Sequence, residues 1–290
     1  VKLRRLFLMC TNILINEADL HINAFPITAI HNFGIAGHFA QVMANVVPGN
    51  VNGSIALPQS GTPIPANISV NSSGFADGFV GLKLGLINQP ALNVKEYSSY
   101  IHKTFSLTGY TRIWYSGSYD QNEELNLGSN RFTFELGFPM NLYLNKKNPK
   151  RATWLEVYPA IHLYTANTNP TTITRAEKTQ QLPLISLENH LSHNFTDKLW
   201  ASIDLRYQYG GALKADGEKQ DNKIDAFGGG ATIGYQIIPP LALHVSYGDV
   251  FNNPSNVEAN ILSHEKKTIC KHFIYHILDD SQSRFKRTKL

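Results

Sequence analysis

Apolar and polar side chains alternate along much of this chain. In residues 199–209, Leu199, Ala201, Ile203, Leu205, Tyr207 and Tyr209 fall on one side, and Trp200, Ser202, Asp204, Arg206 and Gln208 on the other. Successive side chains of a β-strand point to opposite faces, so this spacing predicts a strand with one apolar and one mostly polar face. The pattern recurs at residues 79–86, 104–113, 131–144, 154–164, 185–192 and 241–247. Less regular strands are expected at 23–30 and 34–47, the second ended by Pro48-Gly49-Asn50. Residues 145–150, 167–174, 194–197 and 211–222 are rich in turn formers, Pro239-Pro240 marks a tight turn, and 51–71 reads as a long loop.

Many of the predicted strands run to about ten residues, longer than the usual five or six of soluble strands. They match the roughly 9–11 residues a tilted strand needs to cross a bilayer. No apolar run approaches the roughly 18 residues of a transmembrane helix. About ten to twelve strands are expected, and single-chain bacterial barrels close with an even number. The fold class is therefore all-β: an antiparallel transmembrane β-barrel of about twelve strands. It is expected to occupy residues 20–253, between atypical segments at 1–19 and 254–290. No repeat or domain linker interrupts it.

Composition separates this from a soluble sandwich or lipocalin-like barrel. Only 17% of the 290 residues are charged, against about 25% in an average soluble protein. A soluble barrel turns a face dense in Lys and Glu to bulk water. Here the polar faces mix single charges with Ser, Thr, Gly, Asn and Tyr, as a narrow hydrated lumen requires. Tyr207, Tyr209 and Tyr247 lie near strand ends on the apolar faces, as an interfacial aromatic girdle does. The net charge of +4 resides partly at the two ends, with no basic stripe within the fold, so nucleic acid is not an expected partner. Cys10 and Cys270 lie in the terminal segments and form neither a disulfide framework nor a zinc cluster.

The polar faces hold Lys83, Arg112, Arg131, Glu135, Glu156, His162, Glu188, His190, Asp204, Arg206 and His244. These are the candidate lumenal residues. They can form a charge array that sets what passes, or a salt-bridge network that fills a narrow barrel and pins strand register. The two are compatible. Glu188 and His190 share a face, with Glu156 and His162 on the preceding strand, a set of groups that a metal or acid/base site could use. The spacing shows no further ligand, and no metal, cofactor or catalytic residue is expected. Ser186 and Ser192 are each two residues from His190. That separation on one strand, about 7 Å, is too long for a nucleophile–base hydrogen bond. A serine on a neighbouring strand is not so limited. Gly228-Gly229-Gly230 lacks the phosphate-loop pattern and reads as a strand bend or as space for a neighbour.

Several motifs together resemble one family. Ser73-Gly74-Phe75-Ala76-Asp77-Gly78 leads into Val80-Gly81-Leu82-Lys83-Leu84. Gly117-Ser118-Tyr119-Asp120 precedes Asn126-Leu127-Gly128-Ser129-Asn130-Arg131. Trp154 through Pro159 is followed by Thr165-Ala166-Asn167, and the run from Pro183 to Gly211 contains Glu188, His190 and Leu199-Trp200-Ala201. Over about residues 25 to 250, the chain resembles the outer-membrane transporter family associated with the meta-pathway of phenol degradation. The resemblance implies a membrane barrel that passes small hydrophobic or aromatic molecules. Its expected partners are outer-membrane lipid, such solutes and the barrel-assembly machinery. The other readings are a structural or adhesive barrel with a plugged lumen and, less favoured, a barrel hydrolase.

The ends depart from the pattern of such barrels. Lys2, Arg4 and Arg5 before Leu6 to Cys10 resemble the start of a signal peptide, but Asn12 breaks the apolar run and no small-residue cleavage site follows. Alternation fades from about Pro254, and the last residue is Leu290 where a terminal Phe or Trp is usual. Outer-membrane localisation is thus expected from the barrel pattern, and the ends leave export open.

Overall fold

In the computed structural model, the described residues are 3–7, 9–15, 18–57, 66–145, 151–238, 241–252 and 274–276. They are almost entirely antiparallel β-structure. The chain opens with β1 (Leu3–Phe7), β2 (Met9–Ile15), β3 (Ala18–Ala24), β4 (Ile27–Ile35), β5 (His38–Leu57) and β6 (Ala66–Ile87). A short helix, α1 (Val94–Ser99), precedes β7 (Phe105–Tyr115), β8 (Thr133–Gly137), β9 (Met140–Tyr143) and β10 (Thr153–Tyr164). Then come β11 (Thr179–Gln181), β12 (Leu184–Asn194), β13 (Leu199–Gly210), β14 (Leu213–Ala215) and β15 (Glu218–Lys219). β16 (Ile224–Ile238), β17 (Leu241–Asn252) and β18 (Ile274–His276) complete the series.

The main sheet runs β17-β16-β13-β12-β10-β8-β7-β6-β5-β4-β1-β18. Three pairs of segments are broken single lines. β3 and β4 both pair with β5, β1 and β2 pair with β4 and β3, and β8 and β9 both lie between β7 and β10. Counted so, the described residues form twelve lines. β17 and β18, the two ends of the path, lie side by side, so the sheet comes round to meet itself. β7, β10, β12 and β13 have 11 or 12 residues, enough to cross a bilayer when tilted.

Burial is inverted relative to a soluble protein. Ile203 and Ile185, on the outer face, are 60% and 55% exposed, whereas Thr108 and Glu135, on the inner face, are 2% and 4% exposed. Val80, Leu82, Ile113, Phe134, Leu136, Leu205, Ile233 and Val245 are exposed in the same outward register. An exposed apolar band around an inner polar face is stable against lipid and costly against water.

Four expectations need correction. Pro48 does not end a strand, and 51–71 is not a loop as a whole. β5 runs through Pro48 to Leu57, and β6 begins at Ala66, paired back to it as far as Ala66↔Leu57. Proline lacks an N–H and belongs at bulges. The β5–β6 register shifts between Asn45 and Val47, beside Pro48, whose carbonyl still accepts from Phe25 N–H at 2.9 Å. The predicted strand 131–144 is divided at Phe138-Pro139 into β8 and β9, although both halves stay on the same line. The expected turn 211–222 contains β14 and β15, which form a small separate sheet with β11. The turn at Pro239-Pro240, residues 146–150 and most of 254–290 lie outside the described residues.

Chain direction gives the barrel two unlike ends. At the lower end, Ala36-Gly37 makes a two-residue hairpin with both residues at positive φ, and residues 195–198 make another short turn. The connections 116–132, 165–183 and 211–223 gather at the upper end and are cross-linked there, while 88–104 is the long connection of the lower end. Asn130 Nδ2 donates to Asn167 Oδ1 at 2.8 Å, Tyr119 donates to the Asn169 carbonyl, and Leu182 N–H to the Ala212 carbonyl.

The inner wall as candidate functional site

Alternation carries every predicted lumenal residue that lies within a strand onto the inner register, and register then decides the neighbours. Arg112 on β7 pairs with Glu135 on β8. Arg112 Nη1 lies 3.1 Å from Glu135 Oε1, and the same carboxylate accepts from Tyr110 at 2.5 Å and from Trp114 Nε1 at 2.8 Å. The guanidinium also lies over the rings of Phe79 and Tyr110. The Glu135 side chain is only 5% exposed and that of Arg112 is 31% exposed, so the carboxylate is the buried partner and depends on its donors for compensation.

A second group forms on β12, β13 and β16. His190 Nδ1 lies 2.6 Å from Asp204 Oδ1, and Ser202 and Thr232 also donate to that carboxylate. Nearby, Arg206 Nε lies 3.2 Å from Glu188 Oε1. That pair is half exposed, worth about 1 kcal/mol or less. Glu156 accepts from Tyr158 at 2.8 Å, and His162 Nε2 lies 3.1 Å from Ser186 Oγ. His244 sits edge-on to Trp200. Lys83 takes the inner register of β6, opposite Tyr110. Arg131, just ahead of β8, lies over the Tyr164 ring and donates to Gln181.

These placements bear on the chemistry weighed from sequence. Glu156, His162, Glu188 and His190 each turn to a different partner and do not converge. The elements of a hydrolytic triad fall on separate residues. His162 has a serine, with no carboxylate at ion-pair distance among the described residues. His190 has its carboxylate, but Ser202 donates to Asp204 and not to the ring.

The feature missed in the sequence is aromatic. All three tryptophans, Trp114, Trp154 and Trp200, lie on the inner register. Phe79 packs on Trp114 with ring centroids 4.7 Å apart, and Tyr143 stacks on Trp154 at 4.5 Å. Tyr110, Tyr158 and Tyr164 add to this wall. Glycines make room for it: a side chain at Gly234 would collide with the Trp200 ring, and one at Gly137 with Tyr110. The signal was present, since Trp154 and Trp200 fall among the polar positions of their strands.

At the lower end the connection 88–104 lies along the inner rim. Ala91 packs against Gly34 on β4, Gln89 Nε2 donates to Ser106 Oγ on β7, and His102 meets Trp154 on β10 edge-on at 5.2 Å. Burial pushes the His102 pKa below its ordinary value.

Twelve closing antiparallel lines, apolar outside and polar or aromatic inside, define a transmembrane β-barrel. Residues 27–257 match the family described as "Putative MetA-pathway of phenol degradation", and the chain belongs to that family. Among solved structures it is similar to the COG4313 outer membrane channel from Pseudomonas putida F1. The TM-score is 0.67 at 14% identity, over 94% of this chain and 91% of that one. No curated protein sequence matches it.

Proposed function

We propose that this protein is an outer-membrane channel for small hydrophobic or aromatic molecules and catalyses no reaction. One observation carries the reading: the inner wall is lined by Trp114, Trp154 and Trp200, with Phe79 tilted against Trp114 and Tyr143 stacked on Trp154, while Arg112 and Arg206 have carboxylate partners. Paired charges present little net field to a solute. Flat rings offer apolar surface and π-stacking, each contact worth about 0.5–1.5 kcal/mol. The family and the structural likeness support the same reading. Residues 20–253 are taken as the main body of the barrel, with the lumenal residues named above along its wall, and β1, β2 and β18 add lines to the sheet from outside that range. Membrane lipid and the assembly machinery are the partners such a barrel needs.

The test is entry of a radiolabelled monocyclic aromatic into a porin-depleted Gram-negative host. Wild type is expected to raise the initial rate several-fold over the empty host. Replacing the three tryptophans by alanine is expected to remove most of the gain. A folded, heat-modifiable barrel that leaves entry at the level of the empty host would sink the proposal.

A further inference from the structure

Arg131 stands apart from the other inward arginines. Arg112 has Glu135 and Arg206 has Glu188. Arg131, at the upper mouth, has no carboxylate at ion-pair distance among the described residues. Its Nη2 donates to Gln181 Oε1 at 2.5 Å, and its guanidinium carbon lies 4.7 Å from the centroid of the Tyr164 ring. Its Nε is buried without a partner, as is that of Arg112, and so is the hydroxyl of Ser129, two residues earlier; what separates the two arginines is the carboxylate that Arg112 has and Arg131 lacks. Asp77 is the carboxylate whose field reaches it, but Asp77 Oδ1 is engaged by the N–H groups of Gly117 and Ser129.

Arg131 is partly buried, and a cation drawn out of water without a counter-charge carries a desolvation cost that an ion pair would offset. Burial accordingly pushes the Arg131 pKa down. A guanidinium that is half-satisfied, braced on an aromatic ring and set where solutes enter has the geometry of an anion receptor. Its planar fork suits a carboxylate. Trp114, paired with Thr133 two residues further along, begins the aromatic wall just below.

We propose that Arg131, braced by Tyr164 and Gln181, is a binding subsite for the carboxylate of small aromatic acids at the upper mouth. This names a solute class for the channel and rests on that reading only for its purpose. The carboxylate takes the Nη1 arm, which has no partner among the described residues, and the ring extends toward Trp114.

The test is equilibrium dialysis of radiolabelled benzoate, and of uncharged benzyl alcohol, against the full chain refolded in detergent. Benzoate is expected to bind more tightly than benzyl alcohol. Arg131→Gln is expected to weaken benzoate about tenfold, as loss of a charge-assisted contact does, and to leave benzyl alcohol unchanged. Unaltered benzoate binding in a folded R131Q barrel overturns the site, as does equal affinity for the two ligands. A second measurement needs no variant. Raising ionic strength from about 0.05 to about 0.5 M screens a charge contact, so wild-type benzoate binding should fall and benzyl alcohol binding should not. Benzoate binding that ignores salt overturns the site as well. Because binding is read in detergent, a barrel that binds benzoate but fails the uptake test loses the channel and keeps the subsite. The reverse outcome removes only the subsite.

Discussion

The hydroxyl of Tyr115 donates to the main-chain carbonyl of Asn45, 70 residues earlier, at 2.7 Å. The bond spans the β5–β6 bulge, where the register slips between Asn45 and Val47. Gly78 lies beneath the Tyr115 ring, and a side chain there would strike both the hydroxyl and that carbonyl. A phenol thus fills a gap that the bulge opens in the wall. Tyr115→Phe is expected to cost about 1 kcal/mol, the net value of one hydrogen bond. Gly78→Ala should cost about 1–3 kcal/mol through overpacking. The urea midpoint of the heat-modifiable gel shift measures both. A Gly78→Ala barrel as stable as wild type would show that the gap is not tightly filled.

Asp77 anchors the upper connection. Its Oδ1 accepts from the N–H groups of Gly117 at 3.0 Å and Ser129 at 2.9 Å, clasping the two ends of one loop. Asp77→Ala leaves both donors without a partner, at about 1–3 kcal/mol each. The predicted outcome is faster limited proteolysis between residues 117 and 129, with the strands still protected.

Glu135 is the most buried carboxylate on the inner wall and serves Tyr110, Arg112 and Trp114. Glu135→Leu leaves the partly exposed Arg112 cation and the Tyr110 and Trp114 donors without their acceptor and should cost about 1–3 kcal/mol. Glu135→Leu with Arg112→Met should recover much of that, since replacing both partners removes the unpaired charge. Comparable denaturation midpoints for the single and double variants would mean that the unpaired Arg112 cation is not the source of the loss.

His102 makes the lower connection sensitive to acid. It lies edge-on to Tyr97, Tyr100 and Trp154, and burial lowers its pKa from 6.5, so the fold favours the neutral ring. The sign follows: its contribution is fully present above pH 6.5 and is lost as pH falls through the lowered folded value. With Trp114→Phe and Trp200→Phe in place, Trp154 emission should shift between about pH 7.5 and about pH 5. His102→Phe should flatten that response. An unchanged pH response in the His102→Phe barrel would assign it to another group.

Much of the wall was legible in the sequence. Side-chain alternation is a local consequence of strand geometry, so Arg112, Glu135, His190 and Asp204 could be assigned to one face before any strand was paired. The same alternation placed Trp154 and Trp200 inward, although they were read as members of a polar face and not as a lining. Pro48 misleads because proline is disfavoured inside a strand, and only the bulge beside it shows how β5 carries on.

What the sequence by itself determined is which face each residue takes within a strand, because that depends only on neighbours along the chain. The tertiary structure alone decided who meets whom: Glu135 with Arg112, Tyr115 with the carbonyl of Asn45, and Arg131 with Tyr164 and Gln181 but no carboxylate. Those outcomes depend on register and on loops that fold over one another. A register is chosen by the summed pairing of whole strands, and a shift of one residue turns every side chain to the opposite face.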